Sequence, residues 1–176
     1  MSEMHGEHHH HHVEGDPFGA AVSVAVAVVG ILLAGVTIES HRAHTAAIVH
    51  KTEANDQWAY YQAKKIRGHV SEVAATLANA LNSDATRSAA VIEKLQSDVK
   101  HFADDSAELK KQAEEKDHES QQSERQAVRF DLGEGFLELG LVLSSLYFLS
   151  RRKLFPVLGL TAAAIGTLIG ASGFFV

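Results

Sequence analysis

The sequence predicts an all-α membrane protein with three transmembrane helices and, after the first of them, a long extramembrane antiparallel helical hairpin of the coiled-coil kind. Three observations lead there. Residues 18–38 and 154–176 are two uncharged apolar runs, each near the roughly 20 positions a helix needs to cross about 30 Å of hydrocarbon. Residues 132–150 form a third apolar run that carries Glu134 and Glu138. Between the first and second runs, residues 39–131 are rich in Ala, Glu, Lys, Gln and Ser and contain no Pro, the composition of helix.

Residues 1–17 come first, an acidic, His-rich tail with no periodic apolar residues and so nothing to fold around. It reads as disordered. His8–His12 offer imidazoles to a transition metal, or serve only as a solvated low-complexity run. The apolar run at 18–38 lacks a preceding Lys or Arg and exceeds the apolar core of a signal peptide, so it reads as an uncleaved anchor.

In 39–131, Ile92, Leu95, Val99, Phe102, Ser106, Leu109 and Ala113 recur at alternating spacings of three and four, the seam of a coiled coil. Ile66, Val70, Val73, Leu77 and Leu81 keep one face of the preceding stretch. Both ends of this segment enter apolar runs with no crossing between, so the chain must turn back. Asn82-Ser83-Asp84 is the best turn signal and gives arms of nearly equal length. Trp58, Tyr60 and Tyr61 lie too far from the first run for a headgroup belt, in a region without the positive charge that base stacking on nucleic acid requires. Trp58, Tyr61, Phe102 and Leu109 therefore read as hairpin packing, with Trp58 and Tyr61 opposite residues 105–109 and Lys64 and Lys65 near Asp104, Asp105 or Glu108. A docking surface for another protein is the other reading of these rings.

The residues ANDQWAYYQAKK at 54–65, with FDLGEGFLELGLVLSSLYFLSRRKLFPVLG at 130–159, resemble a bacterial membrane-protein family known as domain of unknown function 4337. The resemblance runs from about Ala20 to the end. It implies three spans and a helical insertion after the first, and it implies no activity, substrate or catalytic residue.

Asp131, Glu134 and Glu138 are three and four apart, so three carboxylates share one face at the start of the second run. An ionisable group inside a span marks an ion or proton pathway by default, while Asp131 and Glu134 also suit a helix that begins among headgroups. Gly166 and Gly170 make a GxxxG in the third run, and Gly30 with Ala34 a small-xxx-small pair in the first, both suited to close helix contact within or between protomers. His41 and His44 are three apart and supply two zinc ligands, too few for a site, so no metal is expected there.

The chain has no Cys, and it has no GxSxG, P-loop, HExxH or dinucleotide fingerprint. The expectation is a non-enzymatic protein without a cofactor: a self-associating structural or interaction scaffold. Its expected partners are the lipid bilayer, further copies of itself and a protein on the hairpin, with no nucleic acid. The alternative is an oligomeric ion or proton channel with Glu138 facing the pathway. The short basic loop Arg151-Arg152-Lys153 favours the cytoplasmic face, which puts the protein in a bacterial inner membrane with the hairpin in the periplasm. Arg42 and Lys51, after the first run, argue for the reverse.

Overall fold

The computed structural model describes residues 16–81 and 85–176, with the side chains of 85–88 set aside. The His run and the turn assigned to 82–84 lie outside the described residues. What is described forms three α-helices, α1 (Pro17–Ala80), α2 (Ala85–Ser150) and α3 (Leu154–Ser172), followed by a 3-10 turn at Gly173–Phe175, with no strand. All three are long and apolar enough to cross a membrane.

Helix α1 starts one residue before the apolar run, and the reason is local. Asp16 Oδ1 accepts the Gly19 backbone N–H at 2.9 Å, and Pro17 occupies the first helical position, where its missing N–H costs nothing. Neither α1 nor α2 breaks where the apolar runs end, at 38 and 132. A helix satisfies its own backbone in water and in hydrocarbon alike, so a change of side-chain polarity gives it no reason to stop.

The chain divides into two compact units, one of Met1–Thr37 with Asp131–Ala171 and the other of Ile38–Phe130 with Ser172–Val176. In the first, Leu137 is fully buried against Val29 and Ala163, with Leu33, Val36 and Leu141 around them. Helices α2 and α3 meet there through glycine. A Cβ on Gly140 would fall 2.6 Å from the Gly159 carbonyl oxygen, and one on Gly133 would fall 2.8 Å from the Gly170 Cα. Only hydrogen fits at these positions, so the two backbones come into direct contact. Helix α2 ends at Ser150, and the next residue, Arg151, has a left-handed φ of 54°, a position usually given to Gly.

In the second unit, α1 and α2 pack along an alanine-lined contact in which Ala54 and Ala113 are fully buried. The α2 seam faces inward: Phe102 and Leu109 are half-buried, Ser106 and Ala113 buried. The α1 side of that contact is a different matter. It turns Tyr61, Lys64, Gly68 and Ala75 towards α2 and leaves Ile66, Val70, Val73, Leu77 and Leu81 exposed. The one-faced apolar stripe of α1 is therefore not the side that meets α2. Positions 66 and 68 differ by about 200° around a helix of 3.6 residues per turn, so the face through Gly68 meets α2 while the face through Ile66 points away from it.

Candidate functional site

The polar contacts of the second unit form a ladder between α1 and α2. Lys51 bonds Asp117 at 2.8 Å, and Trp58 Nε1 donates to the other oxygen of the same carboxylate at 2.9 Å. Lys64 bonds Asp105 at 2.5 Å and lies 5.5 Å over the Phe102 ring. Ser120 donates to the Ala47 carbonyl at 3.0 Å. As positions rise along α1, their partners fall along α2. The Lys51 ammonium, and then the Trp58 indole N–H, hold the Asp117 carboxyl below the usual carboxylate range. The Lys64 ammonium does the same to Asp105.

The pairing of Lys64 with Asp105 is one of those the sequence suggested for Lys64 and Lys65 with Asp104, Asp105 or Glu108. Trp58 departs from it, because the ring bonds Asp117 and not the 105–109 stretch expected from counting equal distances to the turn. Side chains on a helix slant towards its N-terminus. Between helices of opposite direction such slants converge, so a long ring on α1 reaches a carboxylate on α2 beyond the position directly opposite it. Trp58 also stacks edge-on with Tyr61 at 5.6 Å, and Lys65 lies 5.6 Å over the Tyr61 ring.

One rung of this ladder gathers four ionisable groups. His50 Nδ1 lies 3.2 Å from Glu119 and 3.5 Å from Glu53, and Lys116 reaches Glu119 at 2.9 Å and Glu53 at 3.1 Å. His50, Glu53 and Glu119 present ligand atoms within 4.8 Å of one another. Lys116 fills the cation position between the two carboxylates, so a metal ion would have to displace an ammonium already bonded to both. The Lys116 pKa is raised by Glu119 and then Glu53, and the Glu53 carboxyl is lowered chiefly by Lys116. His50 and Glu53 are legible in sequence as an i, i+3 pair, but Glu119 joins them only through the register of α2. His41 and His44 are exposed and are not among these three ligand groups.

In the first unit, Glu134 accepts the Thr37 hydroxyl at 2.7 Å, while Glu138, one turn on, is exposed and makes no hydrogen bond or ion pair among the described residues. Asp131 is exposed and has an interaction of its own. Of the three carboxylates, Glu134 is bonded to α1, Asp131 has a partner, and Glu138 is exposed. Asp16 accepts both the Tyr147 hydroxyl at 2.8 Å and the Arg151 guanidinium at 2.9 Å, and Lys153 lies 5.1 Å over the Phe18 ring. This cluster ties the basic loop to the start of α1, and its ion pair offsets the left-handed backbone at Arg151. Sequence reasoning left Asp16 in the tail, although Asp-Pro ahead of an apolar run is a capping signal.

Gly166 and Gly170 are buried in the α2–α3 contact, where a Cβ on Gly166 would lie 2.7 Å from the Gly133 carbonyl oxygen. Gly170 also borders Val36 of α1, while Gly30 faces Leu141 of α2. Ala34 is exposed. The GxxxG acts within the chain.

The family model for domain of unknown function 4337 matches residues 18–176. The chain belongs to this family. The 4337 match takes in all three helices from Phe18 onward, including the ladder and the carboxylates Asp131, Glu134 and Glu138 of α2, and leaves out the His-rich tail. No curated protein and no solved structure matches the chain.

Proposed function

We propose that this chain is a multi-pass protein of a bacterial inner membrane, held by three spans, which projects α1 and α2 as an antiparallel coiled-coil hairpin and acts as a self-associating interaction scaffold. The observation that carries the reading is the ladder from Lys51–Asp117 to Lys64–Asp105. Two helices that are apolar at one end continue into a stretch where they are held together by ions and indole N–H, contacts suited to water and not to lipid. We read this stretch as non-enzymatic, with its charged groups spent on pairing α1 with α2. The basic 151–153 loop favours the cytoplasmic side and the hairpin the periplasmic side. Labelling a Ser83→Cys variant in intact cells tests this orientation, since a periplasmic tip reacts with an impermeant maleimide and a cytoplasmic tip does not. The mass of the detergent-extracted full chain tests the scaffold: a multiple of the protomer mass supports self-association, and a monomer removes it.

A second reading rests on Glu138. Its carboxylate points outward from α2 within an apolar stretch, one turn from the exposed and uncrowded Gly135. Facing lipid, it would be costly, whereas a ring of copies would enclose it along a shared pathway for protons or cations. Conductance in proteoliposomes that disappears in Glu138→Gln supports this reading. Equal conductance in both, or none in either, leaves the scaffold.

A further inference from the structure

We infer that the exposed apolar stripe of α1 is the surface by which copies of this chain associate, helix α1 against helix α1 in parallel. The inference rests on the scaffold reading above and names its contact. Ala59, Ala63, Ile66, Val70, Val73, Leu77 and Ala80 follow one another at spacings of four and three without interruption, the a/d pattern of a coiled-coil seam over three heptads. The residues that α1 gives to α2 lie on the other side. Gly68 meets Phe102, with 3.5 Å between its Cβ position and the Phe102 Cβ, and Ala75 lines one cleft with Ile92 and Val99 of α2. Position 68 and position 75 are both the f position of this heptad, directly opposite the seam. The bulky residues of this stripe stay open among the described residues: Ile66, Val70, Val73 and Leu77 each keep 54% to 63% of their surface exposed.

The pattern selects its occupant. A small ligand needs a concave site, and a lipid surface tolerates any broad apolar face, but strict three-four spacing fits the grooves of another helix. A second copy of the same seam is self-complementary in register. If two copies rise from one membrane they do so in parallel, which pairs Gln62 with Arg67, His69 with Ala74 and Thr76 with Leu81 across the seam. None of these is a pair of like charges. Ile66, Val70, Val73, Leu77 and Leu81 expose roughly 500 Å² per copy, near the ~600 Å² per partner of the smallest specific interfaces. Confinement to one bilayer raises the effective concentration, so an interface of that size suffices.

The full chain has no Cys, so single-cysteine variants report on the contact directly. Under mild oxidation in native membranes, Val73→Cys is expected to form a disulfide dimer roughly tenfold more than Ala75→Cys, whose position faces α2, because only the seam brings two α-carbons within about 7 Å. The Val70→Glu/Leu77→Glu double variant, with helix content unchanged by circular dichroism, is expected to fall from the assembled mass to that of the monomer. A monomeric wild-type chain overturns both this inference and the scaffold reading. An assembled wild type in which Val73→Cys links no better than Ala75→Cys, or whose double variant keeps its mass, overturns the inference alone. So does a Val73→Cys adduct that contains only a different protein.

Discussion

The two compact units of this chain are both built from packed α-helices, yet they hold those helices together by opposite means. Between Gly133 and Gly170 and between Gly140 and Gly159 the contact is made by the absence of side chains, which lets one backbone rest on another. Between Lys51 and Asp117 and between Lys64 and Asp105 it is made by side chains that reach across. The difference follows from the solvent each composition suits. Where the surroundings are as apolar as the helix surface, no hydrophobic gain separates packed from unpacked, and close van der Waals contact must supply the attraction. Where water surrounds the helices, burial of Ala54 and Ala113 already helps, and charged pairs can stay wet while they fix register.

The sharpest way to break that contrast is to give the glycine contact a side chain. Gly140→Val would place its Cβ 2.6 Å from the Gly159 carbonyl oxygen, backbone that cannot move aside. Overpacking of this kind costs about 3 kcal/mol or more. Thermal unfolding of the detergent-solubilised chain should show a larger loss than either Ala113→Leu or Asp117→Ala produces. Gly135→Ala, on the open face of the same helix, should leave the melting temperature unchanged or raise it slightly.

Ala113→Leu tests whether the polar unit depends on close approach as well. Ala113 is fully buried, so the added carbons should cost about 1–3 kcal/mol, visible as a lower midpoint in denaturant. A midpoint equal to wild type would mean that the ladder alone holds α1 to α2. Asp117→Ala removes the acceptor of both Lys51 and Trp58. Because these groups are partly exposed, the expected drop is about 2–4 °C in Tm, with the Trp58 emission shifting as its indole N–H loses its partner.

Acid should produce the mildest effect, felt along the polar unit and at the Asp16 contacts with Tyr147 and Arg151, where the carboxyl is likewise held below its usual range. Asp105, Asp117 and Glu53 have folded pKa values below their unfolded ones. The stability they contribute is therefore complete above the unfolded carboxylate values of about 4 and is lost as pH falls through the folded ones. Near pH 3, Trp58 fluorescence should report a loosened α1–α2 contact while total helix content persists. Simultaneous loss of both signals at that pH would contradict the separation.

Much of this fold could be read in the order of residues. Apolar runs of the right length, the Pro-free middle and the α2 seam through Phe102 and Leu109 follow from period and composition, which act along one helix at a time. The pair Lys64–Asp105 was also within reach, because it needs only a register good to a turn. Trp58 on Asp117 was not, since the slant of side chains enters only when two helices are set side by side. The stripe from Ile66 to Leu81 shows the same limit: periodicity proves that an apolar face exists but does not say what covers it.

By itself, then, the sequence determined which segments are helical, which are apolar enough for a bilayer, and which positions share a face, because hydrogen bonds within a helix and the turn of 3.6 residues are local. Tertiary structure alone decided that α1 gives its small face to α2, that Glu134 bonds Thr37 while Glu138 stays outward, and that Glu119 joins His50 and Glu53. Those outcomes depend on how one helix is rotated about its axis relative to another. That rotation is fixed by which surfaces can approach most closely, a property of pairs of helices and not of either one.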